Sequence, residues 1–363
     1  MPFRHRTQTC STVFALILPV AVSAAESCCD WPDLRDAHAE SDDSRFRVGV
    51  TYGYSQMDSL QTGTRSISQR QARSDYDQRP TEMTTHRITT RAALALSPRY
   101  EVGLTLPWVR NTMTMQSFMS DHTMCGDKGI FIRETQGNGY RHKMDPVEGW
   151  GDLVLDASFR LLDEGEAATG LHRVYLRPGL KTPTGDYKAT SSGTHTIRTP
   201  WGPHTMKHGG GYADPCMQPG TGSWDPLAQL DYVYRRDRFA LALSGDYQLT
   251  TSNSLGYEYG DAASLGVYPS CQLLRWLTLT AGIRYRNIAS SDDADGRYTD
   301  RKDLTKDPAN TGGDYADAIL ALDLALVRDV VLYAGVSLPV WSDVNGIQME
   351  PSELYTCGLA ARF

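Results

Sequence analysis

The sequence predicts an all-β protein, a transmembrane antiparallel up-and-down β-barrel of about 12 strands. Three observations support this fold class. Apolar and polar residues alternate through many segments of strand length, the chain begins with an export signal, and it ends in an alternating segment whose last residue is the aromatic Phe363. No stretch after the signal approaches the roughly 20 apolar residues that a membrane-spanning helix needs.

The clearest alternation lies between Glu148 and Tyr187. Every second residue from Leu153 to Leu161 is apolar, and so is every second residue from Val174 to Leu180. A period of two predicts two strands, each with one apolar and one polar face, and the acidic, glycine-containing stretch DEGEAATG between them predicts a turn. The polar faces are densely charged. A soluble sandwich would bury the apolar face, whereas a membrane barrel turns it to lipid and turns the charges inward.

Residues 1–24 form the predicted signal. Two arginines precede a ten-residue apolar run, Val13 to Val22, and small residues precede a cleavage point after Ala24. This order is typical of a cleaved secretory signal peptide. A polar tail at 25–44 follows, and residues 45–363 form the predicted barrel.

The strands follow in order. Strand one is Arg45 to Met57, strand two is Thr84 to Leu96, and a tight Ser-Pro-Arg turn leads to strand three, Tyr100 to Thr112. The hairpin supplies strands four and five. The remaining seven lie around 229–235, at 239–249, at 262–274, from 277 onward, at 317–326, at 330–341 and at 353–363. Twelve is the even number that bacterial barrels require, and each segment is near the ten residues that cross a membrane.

The connections alternate between short turns and long loops. Because short turns of such barrels face the periplasm, both termini are expected there, with the barrel in the outer membrane of a Gram-negative cell. Losing the two signal arginines changes the formal charge from −7 to −9, which argues against a nucleic-acid partner. The expected partners are outer-membrane lipid, a small-molecule solute and, for the tail, a periplasmic partner.

Three segments carry a family resemblance. They are Gly149-Trp150-Gly151-Asp152-Leu153, then PGLKTPTGD at 178–186, and PGTGSW at 219–224. Together they resemble the outer-membrane transporter family labelled "MetA-pathway of phenol degradation". The resemblance covers strands four to seven. It implies an outer-membrane barrel that acts as a passive channel, in a family often associated with uptake of aromatic or other hydrophobic compounds.

The alternation assigns fifteen charged side chains to the barrel interior as candidate pore-lining residues. They are Arg87, Arg91, Asp152, Asp156, Arg160, Arg173, Arg177, Lys181, Asp231, Arg235, Asp246, Arg284, Arg286, Asp317 and Asp323. One interpretation is a network of ion pairs that fills a narrow barrel, with Asp152 and Asp156 set against Arg173 and Arg177. The other is a charged pore that selects polar or anionic solutes. Pairing is favoured for these four residues, because twelve strands leave little lumen.

The loops after strands three and five are rich in methionine, histidine and cysteine. Thioether, imidazole and thiolate groups are ligands for soft metals such as copper, so a metal site is one hypothesis. Its candidate ligands are Met113, Met115, His122, Met124, His204, Met206 and His208. The other is a Cys125–Cys216 disulfide that ties the two loops in an oxidising compartment. No other cofactor is expected.

The sequence does not favour an enzyme. It contains no nucleotide-binding loop, zinc-protease motif or haem-attachment motif, and no histidine lies near Ser252 to complete a lipase-like pair. The predicted function is therefore a passive outer-membrane channel for a small solute, with an aromatic or hydrophobic solute implied by the resemblance. Two alternatives remain open: a barrel that binds or takes up a soft metal at its loops, and a closed structural or adhesin barrel.

Overall fold

A computed structural model describes residues 45–72, 75–117, 124–125, 131–132, 140–166, 169–199, 202–300, 302–327 and 329–363. For 124–125, 131–132, 140, 195–199 and 202–210 it describes the backbone alone. The predicted signal peptide, the predicted tail at 25–44 and His122 lie outside these residues. In the described ranges, no helix is long and apolar enough to span a membrane.

Twelve antiparallel strands form one closed sheet, and the predicted fold class is confirmed. They are β1 (Phe46–Met57), β2 (Gln78–Ser97), β3 (Tyr100–Ser117), β4 (Val154–Glu166), β5 (Gly170–Lys181), β6 (Asp225–Arg236), β7 (Phe239–Gln248), β8 (Ala262–Leu274), β9 (Leu277–Ile288), β10 (Gly313–Val327), β11 (Val330–Met349) and β12 (Leu354–Arg362). Each strand pairs with the next, and β12 pairs with β1 to close the barrel.

The two ends of the barrel differ. Both chain ends of the barrel and the short turns lie at one end, called here the terminal end, and the long connections lie at the other, the loop end. At the loop end β2, β3 and β11 extend beyond the predicted segments. Short strands Tyr140–Met144 and Val147–Trp150 continue the sheet beside β3, and a hairpin of Thr190–Thr199 and Gly202–Tyr212 rises above the rim. The sequence indicated loops for all of these segments.

The surface is inverted relative to that of a soluble protein. Large apolar side chains are exposed on the outside, among them Leu265, Ile283 and Val340 at 66%, 60% and 59%. Aromatic rings lie at both rims: Phe46 packs on Phe363 at the terminal end, with ring centroids 6.3 Å apart, and Trp224 is exposed at the loop end. An apolar belt between aromatic girdles is what a barrel presents to lipid.

Packed side chains fill the interior toward the terminal end. The buried cluster consists of Tyr175, Val233, Ala240, Ala242, Tyr268, Ile319 and Ala321. The Tyr268 ring lies against Gly282 of the adjacent strand, where an added Cβ would come within 2.6 Å of Cδ1 of the tyrosine. A glycine on the wall therefore leaves room for a large ring to lie flat inside a narrow barrel.

Candidate functional site

All fifteen charged residues assigned to the interior are buried or half-buried in the structure. Ten are buried: Arg87, Asp152, Arg173, Arg177, Lys181, Asp231, Arg235, Arg284, Arg286 and Asp317. The other five, Arg91, Asp156, Arg160, Asp246 and Asp323, are half-buried. Alternation therefore identified the charged side chains that face away from lipid, and their role in lining a pore stays a prediction.

Arg91 and Asp156 form a two-pronged ion pair across the inner wall. The guanidinium nitrogens Nη1 and Nη2 donate to the two carboxylate oxygens at 2.6 and 2.7 Å. Arg91 lies on β2 and Asp156 on β4, so the pair passes over the intervening β3. It does so at Gly103, where an added Cβ would come within 2.6 Å of both partners. The absence of a side chain at Gly103 is what allows this contact.

Arg173 forms an ion pair with Asp163 and Arg177 forms one with Asp231, where Asp152 and Asp156 were the expected partners. Arg173 donates to Asp163 at 3.0 Å. A register shift between Arg160 and Leu162 places Asp163 opposite Arg173, whereas Asp156 lies opposite Gly179.

Arg177 and the carboxylate of Asp231, on the adjacent β6, lie 3.5 Å apart. The Ser244 hydroxyl donates to the same carboxylate at 2.6 Å. The interior is a network of ion pairs, as one interpretation held, but its partners follow the strand register and not the order of the chain.

Two arginines converge on one carboxylate on the opposite wall. Arg284 Nη2 and Arg286 Nε each donate to Asp317 Oδ2 at 3.1 Å. The Arg286 guanidinium also lies 5.2 Å from the ring centroid of Tyr315, a cation–π distance. Asp317 is thus a single carboxylate shared by two arginines of the inner wall.

The family-like segments meet at the loop end around Asp152. Its Oδ1 accepts the backbone N–H of Gly185 at 2.9 Å, and its Oδ2 accepts both the backbone N–H and the hydroxyl of Thr221, at 2.6 and 2.8 Å. An added Cβ at Gly220 would lie 2.8 Å from Cα of Gly185. Glycine is required where the backbones approach this closely. The segments thus form a structural junction at the rim, called here the Asp152 junction.

A buried ion pair lies beside the Asp152 junction. The Lys181 ammonium nitrogen is 2.5 Å from Asp225 Oδ2, and Asp225 is completely buried. The same carboxylate accepts the backbone N–H of Thr251 at 3.0 Å and the Gln248 amide at 3.2 Å. Four groups from three parts of the chain, the end of β5, the start of β6 and the end of β7, therefore converge at this point of the rim.

The loop between the hairpin and β6 folds into the barrel mouth. Nearly all of residues 213–223, called here the inward loop, is buried. Asn111 on the β3 wall donates to the Met217 carbonyl at 3.1 Å, and Tyr259 donates to the Pro215 carbonyl at 3.1 Å. The Gln218 amide group donates to the carbonyls of Ala189 and Ala213 at 3.0 and 2.9 Å. Sequence reasoning treated this stretch as part of an external loop, and only its Pro-Gly motif marked it as special.

Methionines line the mouth next to the inward loop. The methionine cluster consists of Met57, Met83, Met113, Met115, Met144, Met217 and Met349, with Cys216 packed against it. It includes two of the predicted metal ligands, Met113 and Met115. For Met124, His204, Met206 and His208 the structure describes the backbone alone. The other five methionines of the cluster were not among the predicted ligands.

Cys216 has a free thiol in the structure, so the expected disulfide with Cys125 is not formed here. The thiol packs among the buried methionines on the inward loop. Within the described ranges, no group of three or more histidine, cysteine, aspartate or glutamate side chains is arranged to hold a metal ion.

A pair of buried carboxylates joins two loops: Asp214 belongs to the inward loop, and Asp303 belongs to the neighbouring loop. Asp214 and Asp303 are 2% and 3% exposed, and the Thr305 hydroxyl lies 2.8 Å from an oxygen of each. The Lys306 ammonium is 3.4 Å from Asp214 and 3.9 Å from Asp303. Burial and the adjacent Asp214 charge raise the pKa of Asp303 to about 7. Near neutral pH this pair therefore holds a titrating proton.

No family model matches the chain, and no curated protein matches it. A solved outer membrane channel from Pseudomonas putida F1 is similar in structure, with a TM-score of 0.52 and 15% sequence identity over 89% of this chain and 97% of that one. The fold is an outer-membrane β-barrel.

Two further structures align less well. A Pseudomonas aeruginosa FadL homologue has a TM-score of 0.43 and 10% identity over 97% of this chain and 100% of that one. The CymD monoaromatic hydrocarbon channel has a TM-score of 0.42 and 9% identity over 88% and 89%. The Pseudomonas putida channel supports the fold, and the specific family label stays a prediction.

Proposed function

We propose that this protein is a passive outer-membrane channel for a small solute, with its loop end outside the cell and both termini in the periplasm. The observation that carries the proposal is the charged inner face. On β5 alone, Arg173, Arg177 and Lys181 face inward at four-residue spacing. The strand from Arg173 to Lys181 is about 26 Å long, a length comparable to most of the thickness of a membrane.

This charged face supports the proposal of a channel over a closed scaffold. Buried charges are costly to desolvate, and an apolar filling of similar volume is often equally or more stable. A barrel that served only as a scaffold would therefore gain nothing from nine inward cations. A water-filled path, by contrast, hydrates them and uses them to select solutes.

The chemistry of the barrel mouth and that of the interior together favour a particular kind of solute. The mouth is lined by thioethers and the interior by arginines, two of which share the single carboxylate of Asp317. A small molecule with an apolar body and a negative charge would match both surfaces. An aromatic carboxylate is such a molecule, and it agrees with the resemblance to a family associated with aromatic compounds.

In a closed channel the inward loop would block the path. It is held by hydrogen bonds from Asn111, Tyr259 and Gln218 and by the Asp152 junction, and it lies at the entrance. Hydrogen bonds of this kind contribute only about 1 kcal/mol each. The free-energy cost of breaking them is therefore small enough for the loop to be displaced during transport.

The test is single-channel recording on the purified full chain in planar bilayers, followed by flux into liposomes. We expect discrete conductance steps and faster entry of benzoate than of benzyl alcohol, which has a similar size and no charge. Equal entry of the two would overturn the assignment of the solute. No conductance in any salt and no flux would instead support the closed structural barrel.

A further inference from the structure

The methionine cluster is an unusual concentration of one chemical group. Seven of the eleven methionines in the sequence converge on the barrel mouth, from four barrel strands, the short strand Tyr140–Met144 and the inward loop. Met83, Met113, Met115 and Met217 are at most 4% exposed. Methionine fills irregular gaps in many cores, but its thioether is also a ligand for soft metal ions.

The strand register brings the thioethers of this cluster close together. Met57 lies directly opposite Met83, and Met83 lies directly opposite Met113, so that the three form a row across β1, β2 and β3. Side chains in directly opposed positions have Cβ atoms about 5 Å apart. Met115 is the next inward residue on β3. Flexible thioethers at this spacing can turn their sulfur atoms toward a common point.

The inward loop brings a second group of sulfur atoms to the same place. Met217 is completely buried, and its carbonyl is held by Asn111, which lies two residues before Met113 on the β3 wall. Cys216 packs against the same cluster. Hydrogen bonding of the loop to the wall therefore fixes these sulfur-bearing residues beside the strand methionines.

Two further potential ligands lie at the edge of the cluster. A Cβ placed on Gly193 would lie 3.2 Å from both the His142 Nε2 atom and the Met144 Sδ atom. The imidazole of His142 is buried and the Met144 side chain packs against the cluster. An imidazole beside thioethers suits a soft metal and offers a path for its transfer.

The charge of the surroundings indicates which ion would fit. The thioether groups of the four principal methionines are neutral. A buried site of neutral ligands favours a monovalent ion, since a divalent ion would be more costly to desolvate.

We propose that the methionine cluster binds one soft monovalent metal ion, Cu(I) or Ag(I), with Met83, Met113, Met115 and Met217 as its principal ligands. The site lies inside the mouth and is built by the wall and the inward loop together. It shares Met113 and Met115 with the loop site suggested by the sequence, and adds Met83 and Met217. The proposal does not depend on channel activity.

Replacement of Met83, Met113 and Met115 by leucine tests the proposal, since leucine keeps the apolar volume and removes the thioethers. Detergent-solubilised full chain would be titrated with Ag(I) by calorimetry, and with Cu(I) against a chromophoric chelator. We expect one ion per wild-type chain. We expect binding by the triple variant to weaken by at least about tenfold, a loss typical of even supporting groups around a metal.

The matched control is a second variant with Met124→Leu and Met206→Leu, which removes two thioethers from the loop set and should bind as the wild type does. Retained heat-modifiable migration on gels would show that both variants are folded barrels. X-ray absorption of the Cu(I) form should show sulfur neighbours.

Three outcomes would overturn the proposal. They are absence of binding by the wild type, unchanged affinity in the triple variant, and a first shell without sulfur. The metal-binding measurements do not need a conducting channel, so they remain interpretable if the conductance test fails. The channel proposal and the metal-site proposal can therefore fail separately.

Discussion

The carboxylate of Asp152 binds Thr221, 69 residues further along the chain, through two hydrogen bonds to one oxygen atom, from the backbone N–H at 2.6 Å and from the hydroxyl at 2.8 Å. The other oxygen accepts the N–H of Gly185. Asp152 is 5% exposed. One side chain thus connects the start of β4, the end of β5 and the inward loop.

Replacing Asp152 with asparagine should loosen the inward loop. An amide group keeps the shape but turns one acceptor into a donor, which then faces an N–H group of the backbone. The expected loss is about 1–3 kcal/mol of unfolding free energy, typical of an unsatisfied buried donor. Urea unfolding in detergent measures it, and larger or noisier conductance steps should accompany it.

The control for this variant is Asp237→Asn in the exposed turn between β6 and β7. Asp237 has a φ of 51°, a conformation that asparagine also accepts. This substitution should leave both the unfolding midpoint and the conductance at wild-type values. Wild-type behaviour of the Asp152 variant itself would show that the junction does not restrain the loop.

Removing the charge of Lys181 should destabilise the barrel strongly. Lys181→Met leaves the completely buried Asp225 without the ammonium that lies 2.5 Å from it. Breaking a buried pair from one side costs about 3–5 kcal/mol, much of which is the cost of the charge left behind. A double variant with Asp225→Asn should therefore recover part of the loss. Additive losses in the double-mutant cycle would contradict a direct interaction.

The Arg284–Arg286–Asp317 group should set the ion preference of the channel. Arg286→Gln removes one inward cation and should shift the reversal potential in a KCl gradient toward cation preference. Asp317→Asn should shift it the other way, because two arginines then lack their shared carboxylate. Arg297→Gln, in an exposed pair with Asp295, is the control. Shifts of the same sign in both interior variants would exclude this group from the conducting path.

The support of the inward loop should weaken as the pH rises. The pKa of Asp303 is raised to about 7 because it is buried beside Asp214, with Lys306 and Thr305 as its other polar neighbours. A carboxyl group whose pKa is higher in the folded protein binds its proton more tightly there. Its stabilising effect is thus fully present below the usual pKa of aspartate, near 4, and is lost as pH rises through about 7.

Hydrogen exchange measures this effect. Amides of the inward loop and of residues 303–310 should lose protection between pH 5 and pH 8, after correction for the intrinsic exchange rate, while amides of β6 and β7 should not. Asp303→Asn mimics the protonated form and should abolish the difference. Equal protection at both pH values in the wild type would exclude Asp303 as the titrating group.

The sequence by itself determined the fold class and the side of its strand to which each side chain points. Alternation is a local consequence of the pleated backbone, so Arg177 and Leu176 must point to opposite sides of β5 wherever that strand pairs. Twelve such segments were sufficient to predict a barrel. The same local rule identified the buried charges, though it could not assign their partners.

Only the tertiary structure decided which groups meet. The shift between Arg160 and Leu162 changes the partner of Arg173, and the empty space over Gly103 lets Arg91 reach Asp156 two strands away. Both depend on the register of strands that the chain brings together only on closure. The methionine cluster, which joins strand residues to the inward loop, likewise depends on the register of strands that meet on closure. Contacts across a closed barrel join residues far apart in sequence, as the Thr51 hydroxyl and the Tyr333 phenol are, 282 positions apart, and no local pattern encodes them.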